Sequence, residues 1–211
     1  MKSGANSEQI EAKERQNLLR QINPHFIFNT LATIRIITKI NPDLAYDMIY
    51  DFSKYLRAVF ESFTNPGNIS FREETEYVIS YTNLERIRFG GNIMLDMDNE
   101  EKDFMIPPLS LQPIVENAII HGLKKGKIKG TISIISRQTK SEYIVEIKDD
   151  GIGFDVEEYY KMEEDTAVKE GGLQRVKCRL EEMTGGNLEI KSRSGAGTIV
   201  TLHIPKISKD K

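Results

Sequence analysis

The chain has 211 residues, 39% of them hydrophobic, and 29 Lys and Arg against 32 Asp and Glu give a formal net charge of −3. That length accommodates one large domain or two small ones with buried cores, and we read two; the charge balance, with no Lys/Arg run beside a helix-turn-helix pattern, excludes direct nucleic-acid binding. A single cysteine, Cys178, excludes an intramolecular disulfide framework and a Cys/His zinc site, as suits a reducing cytosol, and no stretch approaches the ~18 apolar residues of a membrane span.

Residues 1–16 are polar, lack a signal-peptide core and read as a linker or signal-relay helix. From Ser7 to about Ile40 the pattern is helical: Leu18, Leu19, Ile22 and Phe26 recur at three- and four-residue spacing, and Ile27, Leu31, Ile34 and Ile37 widen the apolar arc. A second helix follows Asn41-Pro42-Asp43, with Asp43 as its N-cap and Leu44, Met48, Phe52, Tyr55, Leu56, Val59 and Phe60 on its apolar side. Two helices cannot close so broad a core, so residues 17–65 are expected to pair with a second copy into a four-helix bundle. The breaker cluster Asn65-Pro66-Gly67-Asn68 marks a domain boundary.

Beyond it, Ser70-Phe71-Arg72-Glu73 reads as a capping box opening a helix to about Arg88, which Gly90-Gly91 ends. A short strand at Ile93–Met97 and a helix at Leu109–Gly122 come next, then a β-hairpin from Thr131–Ser136 and Tyr143–Lys148. Asp155 to Lys169 is acidic with few apolar anchors and reads as a mobile loop with some helix. A last helix at Gly172–Met183, stopped by Gly185-Gly186, and a hairpin of Leu188–Lys191 and Thr198–Ile204 complete residues 66–211. The fold class is α+β: a helical hairpin followed by an α/β sandwich with helices on one sheet face.

Three segments carry chemistry. Gln21-Ile22-Asn23-Pro24-His25-Phe26-Ile27-Phe28-Asn29 places an imidazole on the first helix, where Gln21, His25 and Asn29 share a polar edge at one-turn spacing. Glu116-Asn117-Ala118-Ile119-Ile120-His121-Gly122 ends an apolar helix, and Asp149-Asp150-Gly151-Ile152-Gly153 ends an apolar strand. In this order the segments resemble the sensor histidine kinases of the LytS/YesM-like group, over about residues 17–205. The resemblance implies an ATP-binding domain of the histidine kinase/gyrase/Hsp90 type and an ATP-dependent protein-histidine kinase of a two-component system. Such an enzyme forms a homodimer, phosphorylates its own histidine and passes the phosphoryl group to an aspartate in the receiver domain of a response regulator. The expected location is cytoplasmic, with a membrane reached only through an upstream segment that this chain does not carry.

The resemblance makes His25 the phospho-acceptor, and a neutral imidazole nitrogen is a competent nucleophile near neutral pH. Many other histidine kinases place an acidic residue directly after this histidine; Phe26 stands there, so the general base is unassigned. No Gly-x-x-x-x-Gly-Lys-Ser/Thr loop is present. By resemblance Asn117 is instead the ligand for Mg²⁺ between phosphate oxygens, Glu116 and His121 line the phosphate end, and Asp149 accepts a hydrogen bond from the adenine amino group. Gly151 and Gly153 allow backbone to approach the base, and Thr198 joins Asp149 there. Gly172 and Leu173 open a helix whose amides meet phosphate. The related ATPases carry a water-activating glutamate where this chain has Pro113, which speaks against an ATPase. The second glycine box departs from the family pattern, with Glu170 for glycine and Arg175 for asparagine. These departures leave open an alternative, a degenerate kinase acting as a weakly nucleotide-binding dimeric scaffold. Cys178 is expected to be a small packing residue.

Overall fold

The computed structural model describes residues 23–64, 67–123, 129–162 and 171–206. The predicted linker, the first turns of the first helix with Leu18, Leu19, Gln21 and Ile22, and Glu170 of the altered glycine box lie outside them. The chain divides into two compact units, residues 1–65 and 66–211.

In the first unit, Asn23 opens helix α1 (Pro24–Ile40): its side chain accepts from the Phe26 N–H at 3.2 Å, and Pro24, which has no N–H to satisfy, takes the first helical turn. Asn41 closes α1 and opens α2 (Pro42–Thr64). Its N–H donates to the Ile37 carbonyl at 2.8 Å, and its Oδ1 accepts from the Leu44 N–H at 3.1 Å. The cap is therefore Asn41 and not the predicted Asp43. Pro42 is already set in helical φ, so the helix starts one residue earlier and Asp43 falls in its first turn, where its charge suits the helix dipole. Phe26, Thr30 and Ile34 are buried on α1, and Ala45, Met48, Phe52 and Tyr55 on α2. The Phe26 ring centroid lies 4.6 Å from that of Tyr55 and 6.5 Å from that of Phe52. Other faces of the hairpin remain apolar and exposed, through Phe28, Leu31, Ile36 and Ile40 on α1 and Tyr46, Ile49, Tyr50 and Phe60 on α2.

The second unit opens with β1 (Ile69–Ser70) and α3 (Phe71–Arg88). The capping box forms: Ser70 Oγ accepts from the Glu73 N–H at 3.1 Å, and the Glu73 carboxylate accepts from the Ser70 N–H at 2.9 Å. There follow β2 (Ile93–Asn99), β3 (Met105–Ile106), α4 (Gln112–Asn117) with a π-helical turn over Ala118–Leu123, β4 (Gly130–Gln138) and β5 (Glu142–Asp149). The remaining elements are α5 (Val156–Met162), α6 (Gly172–Thr184), β6 (Asn187–Ser192) and β7 (Thr198–Pro205).

The main sheet runs β2-β4-β5-β7-β6, with β2 parallel to β4 and the other neighbours antiparallel. Alternation assigns its two faces. Ile132 and Ile134, Val145 and Ile147, and Val200, Leu202 and Ile204 are buried, whereas Glu146, Lys148 and Thr201 on the opposite face are at least partly exposed. Helices α3, α4 and α6 supply the matching core through Phe71, Val78, Leu84, Ile114, Val115, Val176 and Leu180. The architecture is the expected α+β, a helical hairpin followed by an α/β sandwich. The two-residue ladder β1–β3 was not anticipated, because two residues carry no readable periodicity.

Candidate functional site

Register places the site. Val145, Ile147 and Asp149 alternate onto the same buried face of β5, so Asp149 stands where an apolar stripe runs out. Its partner across the ladder is Thr198, the first residue of β7. Asp149 is 5% exposed and accepts from the Gly151 N–H at 2.9 Å. Burial pushes its carboxyl above the ordinary aspartate value and the neighbouring Asp150 adds to the rise, while hydrogen bonds from Gly151 and Thr198 offset part of it.

A cavity of about 540 Å³ opens above this carboxylate, within the usual size range for a small-molecule site. Of the residues singled out from the sequence, Asn117, His121, Asp149, Gly153, Gly172, Leu173 and Thr198 line it. Glu116 and Gly151 are not among the lining residues. Gly151 is still needed: a Cβ there would lie 2.5 Å from the Gly122 carbonyl carbon, because the Asp149–Gly153 loop packs directly on the end of the π-helical turn. The Ile152 N–H donates to the Gly122 carbonyl at 3.2 Å and fastens the two motifs to each other.

At the other end, Gly172 begins α6 against α4. A Cβ at Gly172 would sit in ordinary van der Waals contact, 3.5 Å from Pro113 Cβ and 3.6 Å from Asn117 Nδ2, which places the start of α6 beside the asparagine amide. Among the described residues, no side-chain hydrogen bond caps the start of α6, whose N-cap is Gly171. Its first amides thus retain their capacity for an anion, and the helix dipole favours one there. Arg175 is exposed on α6 and does not line the cavity, and Cys178, expected to pack, is also exposed, since α6 turns Leu173, Val176 and Leu180 inward instead.

The structure adds walls that sequence reasoning missed. Ile114, Ile147, Ile152 and Val200 form the apolar lining, and Phe154, Asp155, Glu158 and Tyr159 close one side. Phe154 and Tyr159 pack with ring centroids 5.4 Å apart. The signal was present in Phe154, directly after Gly153, and in Tyr159, inside the acidic segment read as a mobile loop with some helix.

In the hairpin, His25 is exposed and Asn29 Nδ2 lies 3.0 Å from both of its ring nitrogens. The predicted partner Gln21 is outside the described residues. Phe26, which stands where other histidine kinases have an acid, is buried at 2% exposure and belongs to the hairpin core.

Residues 13–93 match the histidine kinase family, and residues 108–208 match the family of histidine kinase-, DNA gyrase B- and HSP90-like ATPases. The uncharacterized protein YwpD of Bacillus subtilis (strain 168) is 35% identical over 97% of this chain and 73% of its own length. The sensor histidine kinase YpdA of Escherichia coli (strain K12) is 32% identical over 94% of this chain, and the sensor protein LytS of Staphylococcus saprophyticus is 29% identical over 93%. The chain belongs to the sensor histidine kinases, in their LytS/YesM-like group. It spans about a third of YpdA and of LytS, 35% and 34% of their lengths.

Among solved structures, the catalytic domain of histidine kinase ThkA superposes with a TM-score of 0.53 at 20% identity, over 66% of this chain and 95% of that one. The histidine kinase domain of the blue-light-activated kinase EL346 from Erythrobacter litoralis gives 0.50 at 16% identity, over 92% and 93%. These likenesses show the fold of a kinase catalytic domain. No helix among the described residues is long and apolar enough to cross a membrane.

Proposed function

We propose that the chain is an ATP-dependent protein-histidine kinase that phosphorylates its own His25 and passes the phosphoryl group to an aspartate of a response regulator. One observation carries this reading. A single cavity joins a buried acceptor for an exocyclic amine, Asp149, to an amide oxygen suited to a phosphate-bound cation, Asn117, and to the uncapped start of α6. Adenine fits the Asp149 end, where a carboxylate distinguishes an amino group from the guanine carbonyl, and the triphosphate fits the end at Asn117 and Gly172.

Among the described residues no group of three His, Cys, Asp or Glu side chains could hold a metal ion alone. That suits Mg²⁺, which is commonly held by few protein oxygens together with substrate phosphates, and here Asn117 is the residue that would hold it. When bound, the ion neutralises charge on the phosphate oxygens. Pro113 presents no base beside Gly172, so the pocket favours transfer to a protein nucleophile over attack by water.

In the transfer, the lone pair of one His25 nitrogen forms the N–P bond while the bond from the γ-phosphorus to its bridging oxygen breaks, and ADP leaves with that electron pair. The exposed ring releases its N–H proton to water. Asn29 steadies the ring: its amide Nδ2, a donor 3.0 Å from both ring nitrogens, hydrogen-bonds the unprotonated one and holds the imidazole in place on the exposed side of the helix. In the second step the N–P bond breaks and a carboxylate oxygen of the regulator takes the phosphoryl group. The solved complex of ThkA with the response regulator TrrA, whose kinase has a related fold, supports a partner of this class. The exposed apolar faces of α1 and α2 support a homodimer built on the hairpin. The names of YpdA and LytS, a sensor histidine kinase and a sensor protein of about three times the matched length, support its place as the kinase part of a sensor.

The test is incubation with γ-labelled ATP and Mg²⁺. Label that remains on the protein in base and is lost in acid is expected; label that survives acid, or free phosphate without protein-bound label, would refute the kinase reading.

A further inference from the structure

Among the described residues, Leu109 is the only non-glycine with a left-handed backbone, at φ 55°. A leucine is held in that conformation only where its surroundings over-determine it. Here both of its peptide groups are held by charges from other helices. The Leu109 N–H donates to Glu74 Oε2 at 3.0 Å, and the Leu109 carbonyl accepts from Arg179 Nη1 at 3.3 Å. The same Arg179 nitrogen donates to the Pro108 carbonyl at 2.6 Å. Glu74 Oε1 meanwhile accepts from the Leu111 N–H at 2.9 Å and the Gln112 N–H at 3.4 Å, at the start of α4.

Glu74 comes from α3 and is 0% exposed, and Arg179 comes from α6. A fully buried carboxylate is costly unless its lone pairs are satisfied, and this one is satisfied by a single loop. Burial pushes the Glu74 carboxyl above its ordinary value, while the three backbone donors and the charge of Arg179 pull it back. The predicted nucleotide motifs account for neither residue.

We propose that Glu74 and Arg179 are positioning residues that fasten the start of α4 to α6 through the Leu109 peptide, and so set the gap between Asn117 and Gly172 at the phosphate end of the cavity. This rests on the reading of the cavity as a nucleotide site. The α-helical part of α4 is only six residues long, Gln112–Asn117, so a displacement at its first turn carries directly to Asn117. Gly172 begins the same helix that carries Arg179. The adenine end differs: Asp149 and Thr198 are anchored in the β5–β7 ladder and owe nothing to the Pro107–Leu111 segment. Loosening the clamp must therefore weaken phosphate recognition selectively.

The experiment uses the full 211-residue chain, its Glu74→Gln and Arg179→Met variants and the double variant. Calorimetry measures affinity for a non-hydrolysable ATP analogue with Mg²⁺ and for adenosine, alongside thermal melting. Each single variant is expected to lose about tenfold or more in affinity for the ATP analogue (~1.4 kcal/mol) while adenosine affinity stays within about twofold. Because both residues act on one peptide, the double variant should be no worse than the weaker single variant. Lower melting temperatures with an unchanged ratio of the two affinities would reduce the pair to a structural role and overturn the proposal, and so would additive losses in the double variant. Should Glu74→Gln fail to fold, Arg179→Lys keeps the charge, forfeits the guanidinium geometry and reads the same ratio. A wild-type chain that binds neither ligand would overturn the nucleotide site itself and this proposal with it, whereas wild-type binding with an unchanged ratio sinks the clamp alone.

Discussion

The helical hairpin and the α/β sandwich solve the burial problem differently. In the sandwich, the apolar stripes of β4, β5, β6 and β7 meet helices along one face, and the large side chains disappear into a closed core. In the hairpin, α1 and α2 cover only one side of each other. Of thirteen large hydrophobic side chains exposed among the described residues, eight belong to this smaller unit: Phe28, Leu31, Ile36, Ile40, Tyr46, Ile49, Tyr50 and Phe60. On the proposed function the difference matches two chemical demands. A nucleotide cavity has to be preorganised, which requires a core complete in itself. A phospho-acceptor has to remain reachable, and His25, the residue proposed for that role, is exposed on the unit whose burial is incomplete.

The most severe loss should come from removing the proposed acceptor. His25→Ala is expected to bring acid-labile protein-bound phosphate down to background, with ATP affinity within about twofold of wild type. Persistent acid-labile label on that variant would move the acceptor elsewhere.

Next in size is Asp149→Asn. Loss of a charged hydrogen-bond acceptor at the base is worth about 1.5–3 kcal/mol, so adenine-nucleotide affinity should fall roughly ten- to hundredfold. Stability should move the opposite way. Because burial raises the Asp149 carboxyl in the folded chain, the folded state binds this proton more tightly than the unfolded one. The stability it contributes is present below the unfolded value near ~3.9 and declines as pH rises through the raised folded value. The variant should therefore melt higher than wild type at pH ~7 and approach it near pH ~4, and a lower melting temperature at neutral pH would contradict that account of the site.

A charge on the hairpin's open face tests its self-association. Ile49→Glu is expected to weaken self-association about tenfold or more in sedimentation, since burying a carboxylate at a helix interface is unfavourable. Nucleotide affinity should be unchanged, because the cavity lies wholly within residues 114–200. If the variant associates as tightly as wild type, the dimer uses another face. The smallest effect belongs to Asn29→Ala, which removes only the group orienting the ring. Autophosphorylation should slow roughly three- to tenfold, with ATP affinity constant, consistent with loss of a single hydrogen bond. An unchanged rate would show that the 3.0 Å contacts of Asn29 with the ring do not matter for transfer.

Features written in short-range pattern were legible without coordinates. The alternation of β4 and β5, the Ser70–Glu73 capping box and the glycine stop after α6 each depend on residues close in sequence, and the structure shows all three. Polar and glycine motifs likewise marked Asn117, Asp149 and Gly172, which the fold brings to one cavity. The apolar walls Ile114, Ile147, Ile152 and Val200 were not legible as walls, because an apolar side chain facing a cavity has the same pattern as one facing a core. The exchange of Asp43 for Asn41 as helix cap turned on Pro42, whose preset φ outweighed the better-placed acid.

Local chemistry along the chain thus determined its longer elements, their order, the α+β class and the candidate reactive groups, because propensity, capping and periodicity act within a few residues. Tertiary structure alone decided what depends on groups distant in sequence. It set Glu74 thirty-five residues from Leu109 and Arg179 seventy residues beyond it, both on the Pro108–Leu109 peptide. It also turned the end of the Asn117 helix into a π-helical turn and set the Asp149 loop against Gly122. A left-handed leucine and a buried carboxylate are each unfavourable alone; only a fold that brings them together makes both stable.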